Sequence, residues 1–494
     1  MSELPRSVAP DPGGLARLWI MAAGVAGLGA WVLYDALPGI NWVLWTGAAV
    51  AGLLLFLAPH GRIPRAVPLL AALALAVAGA AARTASPPLW VLITGTIVFL
   101  LSIQMLLAAG LSARSITAWF AGLAPLMALR HAVIQSARRS AEATQLIRST
   151  QARAWVRGIA ITLPVVLGFS LLLAGADPVF AGWRDAIERL MGGWEFVARI
   201  GFFLFLMVIV LGAYGYAAGS QPTSPPGEAR VTVRWLGSTE RLILLGGVAA
   251  LLWLFLALQL GYLFGNLPRL PASGVTFAEY ARRGFAELTV VASATALIIV
   301  GSERFGNDEG RGRTLRLLTL AVIAAVLLLL GSAFRRVWLY ESAYGFTTAR
   351  LYAQVYMVAV AAGLAMLSLE VAGGGSFDPG RLFRRAAGAA LILFIGLLYW
   401  NHEAWIARQN LDRFARTGKL DVTYLARELS LDALPAIAER LPGLPDSIRS
   451  ELSNAVVNRF AGSEEIRPTR WFEWNRSRER AREALARSFT APQQ

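Results

Sequence analysis

Eleven apolar stretches, each near the length of a bilayer-crossing helix, run through the first 400 residues. They are 18–33, 42–57, 66–82, 89–109, 159–173, 194–216, 242–264, 285–300, 315–334, 351–369 and 386–400. A spanning helix takes roughly 20 mostly apolar residues. Inside hydrocarbon, only helices and closed barrels pair all their backbone groups. The pattern predicts an all-α fold: a polytopic membrane helix bundle of about eleven spans with a C-terminal soluble helical domain. The expected divisions are an N-terminal tail (1–17), a four-span region (18–110), a basic amphipathic cytoplasmic or interfacial segment (111–158), a membrane region of about seven spans (159–400) and an Arg-rich helical domain (401–494).

The loops between these stretches carry an orientation signal. Arginine is concentrated in alternate loops: two in 59–65, seven in 111–157, three in 217–241, four in 302–316 and three in 371–385. The intervening loops are poorer or balanced by carboxylates, as in 175–199, where three arginines face Asp177, Asp185, Glu188 and Glu195. By the positive-inside rule the N-terminus is cytoplasmic and the C-terminal domain extracytoplasmic, in a bacterial cytoplasmic (inner) membrane. The stretch 116–129 is apolar but short and contains Pro125. Were it a span, it would carry the Arg-rich 130–157 outside, so it reads as an interfacial or re-entrant helix. No small-residue cleavage site follows the first apolar stretch, which therefore reads as an uncleaved helix.

A net charge of +15 invites a nucleic-acid reading. The arginines, however, sit at segment ends and in the tail, where they anchor helices to headgroups, so no nucleic-acid partner is expected. Cysteine is absent, and His60, His131 and His402 are far apart, so neither a thiolate nor a histidine metal site is expected. No cofactor is expected either. The single lysine, Lys419, lies outside any phosphate-binding Gly-x-x-x-x-Gly-Lys pattern. His402-Glu403 opens like a zinc-protease helix, yet Ile406 stands where the second histidine must be. The span centres lack Asp, Glu, Lys and Arg, which disfavours a charge-coupled carrier.

Four polar-aromatic runs stand out, and the expected topology puts all of them on the outer side. They are 176–180 (ADPVF), 276–288 (TFAEYARRGFAEL), 335–350 (RRVWLYESAYGFTTAR) and 401–414 (NHEAWIARQNLDRF). Local pairings account for part of each. Asp177-Pro178 suits a first helical turn, Glu279, Arg283 and Glu287 lie four apart on one helix face, and Thr347 can cap the tenth span. Taken together, the runs offer a surface for an anionic headgroup or an envelope protein. In that surface Arg282, Arg283, Arg335, Arg336 and Arg350 would hold the anion. Asp177, Glu279 and Glu341 would orient them, with Tyr280, Tyr340 and Tyr344 packing on the ligand and Arg408, Asn410 and Arg413 completing the candidate surface.

These runs resemble the uncharacterised bacterial inner-membrane family catalogued as domain of unknown function 4173, with its relative 4153. The shared pattern is ADPVF, AEYARRGFxEL, YExAYGFTxxR and IARxNLxR, continued by Gly418-Lys419-Leu420-Asp421, Tyr424-Leu425, Leu429-Ser430 and Asp432-Ala433-Leu434-Pro435. It covers about 159–482 and shows little in the first four spans. The resemblance implies a membrane location and no particular activity. The functional expectation is a non-enzymatic scaffold, sensor or partner subunit. The alternatives are a permease or channel-like subunit, or an enzyme acting on a lipid-linked substrate with Asp177, Glu279 or Glu341 as base.

Within 401–494, helices are expected over 404–415 (ended by Gly418), from a Ser430 cap to 441, from an Asp446 cap to 460, and over 476–489.

Overall fold

The computed structural model describes residues 12–60, 63–145, 194–219, 236–263, 277–306, 312–373 and 377–489, together with four isolated positions between 145 and 194. Among the described residues eleven helices belong to the membrane part. They are α1 (Pro12–Val32), α2 (Ile40–Leu57), α3 (Ala66–Ala80), α4 (Pro87–Ala108), α5 (Ala118–Gln145), α6 (Trp194–Ala218), α7 (Ser238–Leu263), α8 (Phe277–Phe305), α9 (Arg313–Tyr344), α10 (Thr348–Ala372) and α11 (Pro379–Tyr399). Among the described residues nine helices are long and apolar enough to cross a membrane, and α3 is a shorter apolar helix. The protein is an all-α, multi-pass membrane protein. Apart from two isolated positions, the stretch expected to span at 159–173 lies outside the described residues, as does Asp177.

Two packed groups share the load. Leu18, Ala22, Leu53, Phe56, Leu206, Val210 and Tyr214 join α1, α2 and α6, while Leu245, Leu252, Ala292, Val322, Val326, Leu329, Met357 and Leu364 join α7 to α10. Helix α11 joins the second group to α3 and α4. Its Leu382 lies in the second core, and at its other end Leu398 packs with Val77, Leu89 and Ile93. There the Tyr399 hydroxyl donates to the Ala76 carbonyl at 2.8 Å.

Helix ends alternate between two faces of the bundle. At one face Arg17 at the start of α1 donates to the Leu55 carbonyl at the end of α2. Leu236, just before α7, pairs with Gly306, just after α8. At that face Arg241 and Glu303 form a buried ion pair at 2.6 Å, and breaking such a pair by removing one partner costs roughly 3–5 kcal/mol. Glu370 and Arg381 also pair there, tying α10 to α11. The opposite face carries the turns α1–α2, α3–α4 and α9–α10, and the C-terminal helices.

Helix α5 runs well past the apolar 116–129 and is not among the candidate spans. Its Phe120, Ala124 and Ala128 pack on Val67, Ile103, Leu106 and Leu107, and its His131 stacks on Tyr216. The first half of α5 therefore lies beside the ends of α3 and α4, His131 lies beside the end of α6, and Trp194 opens α6 at its opposite end.

Helices α1, α8, α9 and α11 each outrun their expected spans by six or more residues at one end, because polar residues at a membrane surface do not end a helix; only backbone geometry does. Helix α9 continues ten residues beyond 334 to Tyr344, where Gly345 takes φ +95°, a left-handed region costly for any side-chain-bearing residue. Helix α10 then starts on Thr347, whose hydroxyl accepts from the Arg350 N–H, as the sequence leads one to expect.

Helix α6 touches α5 so closely that a Cβ at Gly212 would collide with the Ala132 carbonyl oxygen. Gly212→Val should cost about 1–3 kcal/mol through overpacking. It should lower the thermal midpoint in detergent, whereas Gly246→Ala, with open space around it, should not.

Candidate functional site at the junction of bundle and C-terminal helices

After α11 the chain forms α12 (His402–Thr417), α13 (Leu434–Arg440), α14 (Asp446–Phe460) and α15 (Arg476–Ala484). Helix α12 begins where the Asn401 side chain accepts from the Ala404 N–H, and stops at left-handed Gly418. Ser430 caps a single 3₁₀ turn ahead of α13 rather than α13 itself. Pro445, not Asp446, precedes the first residue of α14. Ile406, Leu411, Leu425, Leu434, Ile437, Leu452, Val456 and Phe460 make one core, and Ala85, Phe346 and Leu351 from the bundle are part of it. The C-terminal helices thus share a hydrophobic core with the turns they cover.

Polar contacts complete the junction. At the α9–α10 turn the Asn410 side chain accepts from the Phe346 N–H and donates to the Phe346 carbonyl, each at 2.8 Å. Arg413 donates to the carbonyls of Ser342, Ala343 and Lys419. The Thr348 N–H reaches the Tyr424 hydroxyl at 2.8 Å. Gly345 is needed twice over here, because a Cβ would also sit 2.7 Å from Asn410 Oδ1.

At the α3–α4 turn Asn475 donates to the carbonyls of Ala81 and Thr84, both at 2.8 Å. Asp432, buried at 4 % exposure, accepts from the Thr84 hydroxyl and the Ala85 N–H, both at 2.6 Å, and from the Ser477 hydroxyl. At the α1–α2 turn Glu473 accepts from the Leu37 N–H at 3.1 Å, and the Trp474 carbonyl accepts from the Ile40 N–H at 3.1 Å. Burial pushes the Glu473 carboxyl up, but hydrogen bonds from Arg470 and Leu37 outweigh it and hold the group below the usual carboxylate range. Arg478 is buried among these groups, and burial draws its guanidinium down to about 10, so it stays cationic at neutral pH.

A second acid–base group lies beneath Asp432. The Glu403 carboxylate accepts from the Ser430 N–H at 2.5 Å. His402 faces the Trp400 carbonyl with Nδ1 at 3.3 Å, which leaves Nε2 to accept from the Tyr352 hydroxyl at 3.0 Å. Burial lowers the His402 imidazole. Burial, and then the nearby Glu403 charge, push Asp432 up to about 6 despite its three donors. These residues have catalytic chemistry but no access: His402, Glu403 and Asp432 are each under 5 % exposed. Their hydrogen bonds hold the junction closed.

The sequence-derived surface residues divide accordingly. Asn410 and Arg413 are buried clamps on the α9–α10 turn. Arg350 donates to the Gly345 carbonyl and lies over the Tyr340 ring, which stacks on Tyr344. Glu341 is buried and accepts from Gln354 at 2.6 Å. Arg335 and Arg336 lie on the last turns of α9, Arg335 exposed. Arg408 is exposed and pairs with Glu439 at 3.9 Å. Glu279, Tyr280, Arg282 and Arg283 lie in the first two turns of α8.

Sequence reasoning missed Thr84, Glu473, Asn475 and Arg478. Asn475 carried a local signal as the cap of α15, accepting from the Arg478 N–H, but nothing local marks its partners almost 400 positions earlier.

A family sequence model matches residues 20–440. The chain belongs to the family described as Domain of unknown function (DUF4153). The match starts inside α1 and so takes in the four N-terminal spans, where the resemblance read from the sequence was slight. It ends at Arg440, before Glu473 and Asn475. Neither a curated protein nor a solved structure matches the chain.

Asn410→Ala should leave both backbone groups of Phe346 unpaired and cost roughly 2–5 kcal/mol, exposing α12–α15 to protease while the bundle stays folded. Arg408→Ala, at an exposed pair, should change stability by less than about 1 kcal/mol. Because Asp432 titrates higher in the docked fold than its ordinary 3.8, its contribution is full below that value and is lost as pH rises through about 6. The melting-temperature difference between Asp432→Asn and wild type should therefore shift in the variant's favour from pH 4 to pH 7.

Proposed function

We propose that this protein is a non-enzymatic scaffold or sensor of the bacterial cytoplasmic membrane, its N-terminus cytoplasmic and its C-terminal helices extracytoplasmic. On this reading the C-terminal helices, 401–494, form the sensing or docking domain. We further place the chain beside domain of unknown function 4173, on the polar-aromatic runs that carry that resemblance.

The observation that carries the reading is how the buried polar groups of the junction are used. Asn410, Arg413, Asp432, Glu473 and Asn475 hold three bundle turns against the C-terminal helices. A displacement of those helices would thereby reach α1–α4 and α9–α10 directly. Arg335 and Arg336, with Arg282 and Arg283 at the start of α8, form the proposed contact surface for anionic lipid or an envelope protein. The arginine bias toward the opposite face supports the orientation.

The test is complementation of a strain lacking the gene, with each variant carrying a C-terminal reporter active only outside the cytoplasm. The scaffold reading expects reporter activity throughout, function retained by Glu279→Gln and Glu341→Gln, and function lost by Asn410→Ala and Asn475→Ala. Loss with Glu279→Gln or Glu341→Gln at unchanged membrane level would instead indicate an enzyme, and a silent reporter would overturn the orientation.

A further inference from the structure

The segment Trp471-Phe472-Glu473-Trp474 places its side chains unevenly. Phe472 and Glu473 are buried, whereas Trp471 is 60 % and Trp474 45 % exposed. The cause is local geometry. Residues Trp471–Glu473 form a 3₁₀ turn that the Trp474 N–H closes on the Trp471 carbonyl at 3.3 Å, so the two exposed tryptophans stand three positions apart, one turn of such a helix. The exposed area is large, since each tryptophan carries roughly 150–250 Å² of surface.

The height of this side above the bundle is set by α1. Trp31 occupies the last turn of α1, at the end of a candidate span running to Val32, and is itself 51 % exposed. Its ring lies 6.1 Å from that of Trp471 and 5.7 Å from that of Phe472. The headgroup layer on each side of the hydrocarbon is roughly 5–8 Å thick, and indoles concentrate in it because one edge is apolar and the other donates a hydrogen bond. A ring 6.1 Å from one that closes a spanning helix lies within that layer or at its edge. Arg470, which pairs with Glu473 as Arg467 does, fixes the segment there: it donates to the Asp35 carbonyl beyond α1 and lies over Phe472.

We propose that Trp471 and Trp474 form a membrane-interface foot, by which the C-terminal helices rest in the headgroup layer of the leaflet where α1 ends. The occupant of this exposed aromatic face is phospholipid, because the face continues the belt that Trp31 begins. The foot stands apart from the scaffold reading: it requires only that α1 spans.

The native chain has no cysteine, so single spin labels can be placed in the full-length protein at Trp31→Cys, Trp471→Cys, Trp474→Cys and, as an aqueous control, Asp446→Cys. In nanodiscs of phosphatidylcholine and phosphatidylglycerol, collisions with oxygen, which partitions into lipid, are compared with collisions with a water-soluble nickel complex. The expected result is a shift toward oxygen at 471 and 474, matching 31, with nickel dominant at 446. Nickel dominance at 471 and 474 with 31 still shielded would overturn the foot. Exclusion of both reagents would overturn it too, assigning the face to a protein partner, and dipolar broadening would identify that partner as a second copy. Each label leaves the other tryptophan in place. Unchanged protease resistance of α12–α15 in each variant shows that the C-terminal helices remain docked.

Discussion

Every helix that surfaces from a membrane bundle leaves backbone N–H and C=O groups without intrahelical partners, and in this protein the C-terminal helices supply those partners. The carbonyls of Ala81, Ala82 and Thr84 and the N–H groups of Leu37, Ile40, Ala85, Phe346 and Thr348 all pair with residues between 410 and 476. A buried polar group left without a partner costs roughly 1–3 kcal/mol, so these turns and the C-terminal helices depend on one another. The shared hydrophobic core, with Ala85, Phe346 and Leu351 among the tail residues, adds the non-directional part of the same dependence.

This constraint explains the residue types at the junction. Turn carbonyls call for donors that reach several acceptors at once, and asparagine and arginine provide them: Asn475 serves two carbonyls and Arg413 three. Unpaired turn N–H groups call for carboxylates, which Asp432 and Glu473 supply. Burying those carboxylates carries an electrostatic cost, and the protein meets it differently in the two cases. Glu473 lies among arginines, while Asp432, next to Glu403 and short of cations, is pushed toward its neutral form. The opposite face of the bundle uses charge in another way, with ion pairs such as Arg241–Glu303 joining helix to helix and no covering layer among the described residues.

The polar-aromatic runs show how far sequence reading carried and where it stopped. Three of the four fall at one end of the bundle, as the alternation of loops implied, and the first lies outside the described residues. Their roles were harder to read. Arginines near tyrosines and glutamates have the composition of an anion site, yet Arg350, Asn410 and Arg413 bond backbone carbonyls and N–H groups of the α9–α10 turn. Composition does not tell an arginine facing a ligand from one facing its own chain, since both present the same donors. Thr347 and Gly418 were legible because capping and left-handed glycine are properties of a few adjacent residues.

What the sequence determined by itself is what depends on solvent and on near neighbours. Runs of apolar residues commit the chain to helices in a bilayer, because no other backbone arrangement satisfies its polar groups there. Arginine placement biases one face, and local chemistry caps and stops individual helices. Tertiary structure alone decided that Asp432 meets Thr84, that Asn475 closes the α3–α4 turn, and that Trp471 stands beside Trp31. Those partners are separated by hundreds of residues, and a hydrogen bond or ring contact between them exists only once the helices between them have packed.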